Sequence, residues 1–234
     1  MTHNRQFPSD VSFLRGRFSF LLISLFFFFL LHSFLAGHPL TPYFLPALLL
    51  ATLVANVIAF SGKTSIILVA SVLALTSLAL RWITYFNENH LLLLLIGDGI
   101  GGLFFAFIAV NILTAVLRAK TVTEDTISGA LCVYLLIGFV WAFLYMMVES
   151  VHPGSFSLGE AAKIAAGTAH PAAALFSLFL YFSLTTLSTV AYGDILPLTG
   201  PARGLAALEG IAGQFYMAVL VARFVALYIA HSHK

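Results

Sequence analysis

Six long apolar stretches, at about 18–36, 42–60, 65–86, 91–117, 127–148 and 201–230, alternate with short polar breaks along the chain. Each is close to the ~20 residues a helix needs to cross a bilayer, where backbone polar groups must bond within their own segment. The breaks carry loop chemistry: His38-Pro39-Leu40-Thr41-Pro42, Ser61-Gly62-Lys63, Asn87-Glu88-Asn89-His90, and the polar run from Arg118 to Thr126. Between the fifth and sixth stretches, residues 149–200 break this pattern. Glu149 to His170 is polar and Gly/Pro-containing, so it is placed outside the bilayer. After Pro171, Ala172 to Thr186 reads as a helix too short to cross. A half-length helix at membrane depth is tolerated only when it is buried in protein or lines a cavity. The pattern therefore predicts an all-α membrane protein, with six transmembrane helices and a re-entrant helix and loop between spans five and six.

Composition agrees with that reading. The chain is 61% hydrophobic and 9% charged, with a mean hydropathy of +1.03, against about 25% charged residues in a soluble domain. Arg5, Arg15 and Arg17 precede the first apolar run, Phe18 to Leu35. That run exceeds the roughly 7–15 apolar residues of a cleavable signal, so a retained first helix is expected. Lysine and arginine set the direction. With the N-terminus inside, Arg5, Arg15, Arg17, Lys63, Arg118, Lys120, Arg223 and Lys234 are cytoplasmic, and only Arg81, Lys163 and Arg203 lie outside. Both termini are then cytoplasmic, and the 149–200 segment enters from the outer side.

A net charge of +2 with scattered basic residues gives no nucleic-acid patch. Cys132, the lone cysteine, can form no intrachain disulfide and is read as lipid-facing or packed filler. The histidines at 3, 38, 90, 152, 170, 231 and 233 fall in loops and termini without ligand spacing. No nucleophile elbow, P-loop or zinc motif occurs, so no enzyme, cofactor or soluble partner is expected.

The chemistry lies in Tyr181-Phe-Ser-Leu-Thr-Thr-Leu-Ser-Thr-Val-Ala-Tyr-Gly-Asp194. This stretch resembles the pore-helix end and selectivity filter of the prokaryotic tetrameric potassium channel family, whose usual filter reads Thr-Val-Gly-Tyr-Gly. The resemblance implies a filter at Thr189-Val190-Ala191-Tyr192-Gly193, with potassium held by the carbonyls of Thr189, Val190, Ala191 and Tyr192. The Thr189 hydroxyl would add an inner ligand. Ala191 departs from the family pattern, because the corresponding residue is glycine. If that position needs a left-handed backbone, its Cβ costs about 1–2 kcal/mol, which puts strict potassium selectivity in doubt. The resemblance also makes Asp194 a brace at the outer mouth, with Tyr181 its partner. Thr185 stands where some bacterial channels place an acid behind the filter, so bracing there is expected to be absent or weaker.

The resemblance divides the chain into a cytoplasmic segment 1–17, a four-helix transmembrane domain 18–117 and a pore domain 127–234. The pore domain comprises an outer helix 127–148, a pore helix 172–186, the filter 189–193 and an inner helix 201–230. Gly213 matches the family's hinge glycine, with Gly210 a competitor and close helix packing the alternative role. Helical spacing then puts Gln214, Met217 and Val221 toward the cavity. Glu209, roughly 12 Å along the last helix, is expected either to bond the back of the pore helix or to face the outer cavity.

The fourth span contains no arginine row, and its one charge is Asp98 within Gly97-Asp98-Gly99-Ile100-Gly101-Gly102. Weak or absent voltage dependence follows. Arg81 and Asp98 are expected to pair, and His32, Asn56 and Asn111 to bond between helices. One filter strand cannot enclose an ion, so a homotetramer in a bacterial plasma membrane is expected, passing potassium passively. The rivals are a weakly selective cation channel and a non-conducting subunit that modifies other channels.

Overall fold

A computed structural model describes residues 17–34, 47–55, 64–86, 90–159 and 171–232. The chain is mostly helical: α1 (Arg17–Phe34), α2 (47–55), α3 (Thr64–Phe86), α4 (Leu91–Arg118), α5 (Glu124–Val151), α6 (Pro171–Leu187) and α7 (Gly200–Ser232). Two short strands, β1 (Phe156–Ser157) and β2 (Leu196–Pro197), complete it. Among the described residues, α3, α4, α5 and α7 are the four helices long and apolar enough to cross a membrane. The second apolar stretch, 42–60, lies largely outside the described residues, and α1 contributes a shorter apolar helix, Phe18–Leu31.

Helix α5 starts earlier than hydropathy alone suggests. Thr123 is its N-cap, with Oγ1 accepting from the Thr126 amide at 3.2 Å. Glu124 and Asp125 occupy the first turn, where the helix dipole favours negative charge. These residues are polar because they begin a helix. Asp125 also serves a second helix: Oδ1 accepts from the amides of Phe18 at 2.9 Å and Ser19 at 3.4 Å in the first turn of α1, where a helix's own ladder supplies no acceptor. The Ser19 and Ser128 hydroxyls, 3.1 Å apart, add to the joint. Asp125→Ala is therefore expected to remove an N-capping contact worth about 1 kcal/mol. Faster amide exchange at Phe18 and Ser19 in the purified protein checks this.

Helix α5 is the centre of the packing. A Cβ on Gly101 of α4 would lie 2.8 Å from the Phe143 ring, so glycine there permits the close approach of α4. Phe105 of α4 stacks on Phe139 of α5, with centroids 4.8 Å apart and planes at 2°. Phe143 continues the seam to Phe176 of α6 at 4.9 Å. Only residues 119–123 connect α4 to α5, so the two pack as neighbours within one chain. Arg223 of α7 reaches the carbonyls of Leu117 and Ala119 at this junction, placing a cation at the C-terminus of α4.

Buried Cys132 contacts the Phe18 carbonyl at 3.5 Å. Asn111 differs from expectation: its Nδ2 donates to Phe107 O of its own helix at 2.7 Å. An intrahelical carbonyl one turn back lies within reach of a short amide side chain, so no neighbouring helix is needed. Asn56 and the side chains of His32 and Arg81 lie outside the described residues, and with them the expected pairing of Arg81 with half-buried Asp98.

After α5 the chain turns through His152 to Ser155. Here Glu149 accepts from the amides of Gly154 at 2.7 Å and Phe156 at 3.2 Å. Strands β1 and β2 pair antiparallel, Phe156 opposite Pro197 and Ser157 opposite Leu196. The Leu198 amide donates to Ser155 O at 2.8 Å, and the Thr199 and Ser155 hydroxyls lie 3.1 Å apart. This clip ties the end of α5 to the segment joining Asp194 to α7.

Candidate ion-conduction site

Helix α6 is apolar along most of its length and packs against both α5 and α7. Its last turn tightens, with Thr189 N donating to Thr186 O at 3.0 Å. The Thr185 carbonyl then accepts from both Val190 N at 2.9 Å and Ala191 N at 3.1 Å. These bonds anchor the start of the extended run directly to the helix end.

Within the run, φ is positive at Thr189 (61°), Ala191 (43°) and Gly193 (79°), while Val190 and Tyr192 keep negative φ. Alternating the sign of φ turns successive peptide groups to the same side, unlike a β-strand, where they alternate. The consequence is a row of carbonyls that can share one face. Only glycine adopts positive φ without steric penalty, and a β-branched residue there is a true outlier. Thr189 and Ala191 therefore hold backbone strain of about 1–3 kcal/mol each. Residues 189–194 are all exposed, Tyr192 at 71%, so the run lies on the outside of the single chain.

Asp194 follows the run. Its Oδ2 accepts from the Tyr181 hydroxyl at 2.8 Å, and Oδ1 accepts from the Ile195 amide at 3.1 Å. The Tyr181 and Tyr192 rings are parallel, within 4°, at a centroid distance of 6.3 Å. Thr185 spends its hydroxyl on Phe182 O of its own helix at 3.0 Å and gives the run no side-chain support.

Helix α7 lies beside the Thr189 end of the run. Gln214 Nε2 donates to Thr189 Oγ1 at 3.3 Å. An open groove of about 570 Å³ is lined by Thr189, Ala206, Gly210, Gln214, Phe215 and Ala218 among others. Met217 and Val221 are exposed on α7, 42% and 52%. Gly213 is a close-contact position: a Cβ there would fall 2.2 Å from Leu187 O. Gly210 has more room, its nearest such contact being Thr186 O at 4.0 Å.

Glu209 is fully buried behind α6. Its carboxyl contacts the hydroxyls of Tyr145 on α5 and Ser183 on α6, and Ser183 Oγ also contacts Gly138 O at 2.8 Å. Of the two places expected for Glu209, the structure gives the back of the short helix. Tyr145 and Ser183 were not legible as partners of Glu209, since neither has a spacing or motif that points to it. The signal available was Glu209 itself, because an intramembrane acid needs donors. Among the described residues no group of three His, Cys, Asp or Glu side chains could hold a metal ion. A row of backbone carbonyls requires none.

Residues 129–230 match the family model described as ion channel. The match runs from the first turns of α5 almost to the end of α7 and so contains α6, the 189–193 run and Asp194. No curated protein and no solved structure matches the chain. The C-terminal part of this helical membrane protein is thus similar to an ion-channel family, which is not an enzyme family.

Proposed function

We propose that the chain forms a passive, potassium-selective channel, a homotetramer in a bacterial plasma membrane with both termini cytoplasmic. The observation that carries this reading is the alternation of φ over Thr189, Val190, Ala191, Tyr192 and Gly193 on an exposed edge. Such a run offers carbonyl oxygens in place of an ion's hydration shell. Because one strand lies open on one side, the site is incomplete in a single chain. Four copies around an axis close it, with Thr189 to Tyr192 as potassium ligands. The exposed apolar face of α7, including Ile211, Phe215 and Val219, is then shared between neighbouring subunits and the cavity.

Before its terminal Arg118, α4 carries Asp98 as its one charge, which supports a pore with little voltage dependence. The 119–123 link keeps α1–α4 against the pore segment of the same chain. A second reading, a weakly selective cation channel, is favoured by Ala191 at φ 43°. Its strained backbone holds a less regular ladder, and cation discrimination depends on that ladder's geometry or field strength.

The test joins assembly to conduction. Native mass spectrometry of the purified chain is expected to give tetramers, and potassium-loaded liposomes containing it are expected to show flux that barium blocks. Monomers without flux would instead support a non-conducting, channel-modifying subunit.

A further inference from the structure

The contacts around Glu209 contain more close oxygen pairs than hydroxyl hydrogens. Tyr145 Oη meets one carboxyl oxygen of Glu209, and Ser183 Oγ meets the other. Ser183 Oγ also meets Gly138 O at 2.8 Å. Three hydrogen bonds need three hydrogens, yet a tyrosine and a serine hydroxyl supply one each. If Ser183 gives its hydrogen to Glu209, two acceptor oxygens are left facing each other at Gly138. If it gives the hydrogen to Gly138 O, the contact with Glu209 is filled only by a hydrogen on the carboxyl.

Burial favours the same answer. Glu209 is fully buried, and among the described residues no lysine, arginine or histidine pairs with it. An ionised carboxylate in such a place is costly unless paired, whereas a neutral acid both donates and accepts.

We propose that Glu209 is held as a neutral carboxylic acid that donates to Ser183, closing a directed chain from Tyr145 through Glu209 and Ser183 to the Gly138 carbonyl. The chain crosses three helices: α5 supplies both ends, α7 the acid and α6 the serine. Ser183 lies two residues before Thr185, whose carbonyl anchors the amides of Val190 and Ala191. Glu209 is thus a positioning residue for the filter. It fixes the rotation and depth of α6, and the helix end fixes the start of the carbonyl ladder. This role replaces the bracing that Thr185 does not provide.

The inference rests on the proposed pore for one of its two readouts, and the other is independent of conduction. Infrared difference spectra of the full chain, wild type minus Glu209→Gln, are expected to show the carbonyl band of a protonated carboxyl in the wild type. Glu209→Gln retains a donor and an acceptor in nearly the same shape, so its barium-sensitive potassium flux is expected within about twofold of wild type. Glu209→Ala leaves the Tyr145 and Ser183 hydroxyls without their buried partner, and its flux is expected to fall about tenfold. A wild type lacking the protonated-carboxyl band, or a Glu209→Gln flux as low as that of Glu209→Ala, overturns the proposal. A wild type with the band but no flux leaves the neutral acid standing and removes the pore.

Discussion

Gly213→Ala is expected to cut potassium flux by at least about tenfold and to lower the melting temperature of the assembled protein. The alanine Cβ would lie 2.2 Å from Leu187 O, with Leu187 C and Cδ1 both at 3.1 Å. Carbon and oxygen need well over 3 Å, and the nearest obstacle is backbone, so no rotamer change relieves the clash. Helix α7 must move from α6 by roughly an ångström, at the point where α6 hands the chain to Thr189. Overpacking of this kind costs about 1–3 kcal/mol, and the proposed tetramer would contain the defect four times. Gly204→Ala is the matched control, since nothing lies within 4 Å of the added methyl. There alanine is expected to stabilise α7 by up to about 1 kcal/mol through helix propensity. Thermal melts and liposome flux on the two variants check the contrast. A Gly213→Ala protein with wild-type stability and flux would show that α6 and α7 are not in the stated contact.

The second large effect has the opposite sign. Ala191→Gly is expected to stabilise the filter and to sharpen selectivity for potassium over sodium. Ala191 sits at φ 43°, where a Cβ costs about 1–2 kcal/mol and glycine nothing. Net of glycine's greater freedom in the unfolded chain, about 0.5–1 kcal/mol per subunit remains. In the proposed tetramer four subunits would share one filter, so the gain would compound to about 2–4 kcal/mol. A rise in the tetramer's melting temperature in potassium, with a larger potassium–sodium reversal potential, is the expected outcome. An unchanged melting temperature would mean that the Ala191 backbone is relaxed as it stands.

These two positions also show how much of the molecule could be read in its sequence. Hydropathy located the long helices, since twenty apolar residues have few alternatives in lipid. It blurred their ends, because Glu124 and Asp125 are polar as a helix start and as a loop alike. The short helix at 171–187 was legible from its length and flanks. The unusual backbone at 189–193 was legible in part, because Gly193 marks one of its three positive-φ positions. Strain at Thr189 carried no comparable sign, since nothing about a threonine announces a left-handed backbone.

Contacts that depend on one side chain meeting another far along the chain were the least legible. Glu209 could be flagged as an acid in need of donors, but Tyr145 and Ser183 are 64 and 26 residues away and carry no pattern that points to it. Gly213 was ambiguous between bending and packing, and only the position of Leu187 O separates the two in this arrangement. The β1–β2 clip was invisible for a different reason. Two-residue strands have no periodicity, and what holds them is Glu149 and Ser155 bonding to backbone.

The central claim is that the carbonyls of Thr189 to Tyr192 conduct potassium in preference to sodium. The reversal potential of the reconstituted chain, with potassium on one side of the membrane and an equal concentration of sodium on the other, tests it most directly. A reversal displaced from zero by about 59 mV for each tenfold of preference, in the direction of potassium selectivity, is the expected result. A barium-insensitive current reversing at zero would contradict it.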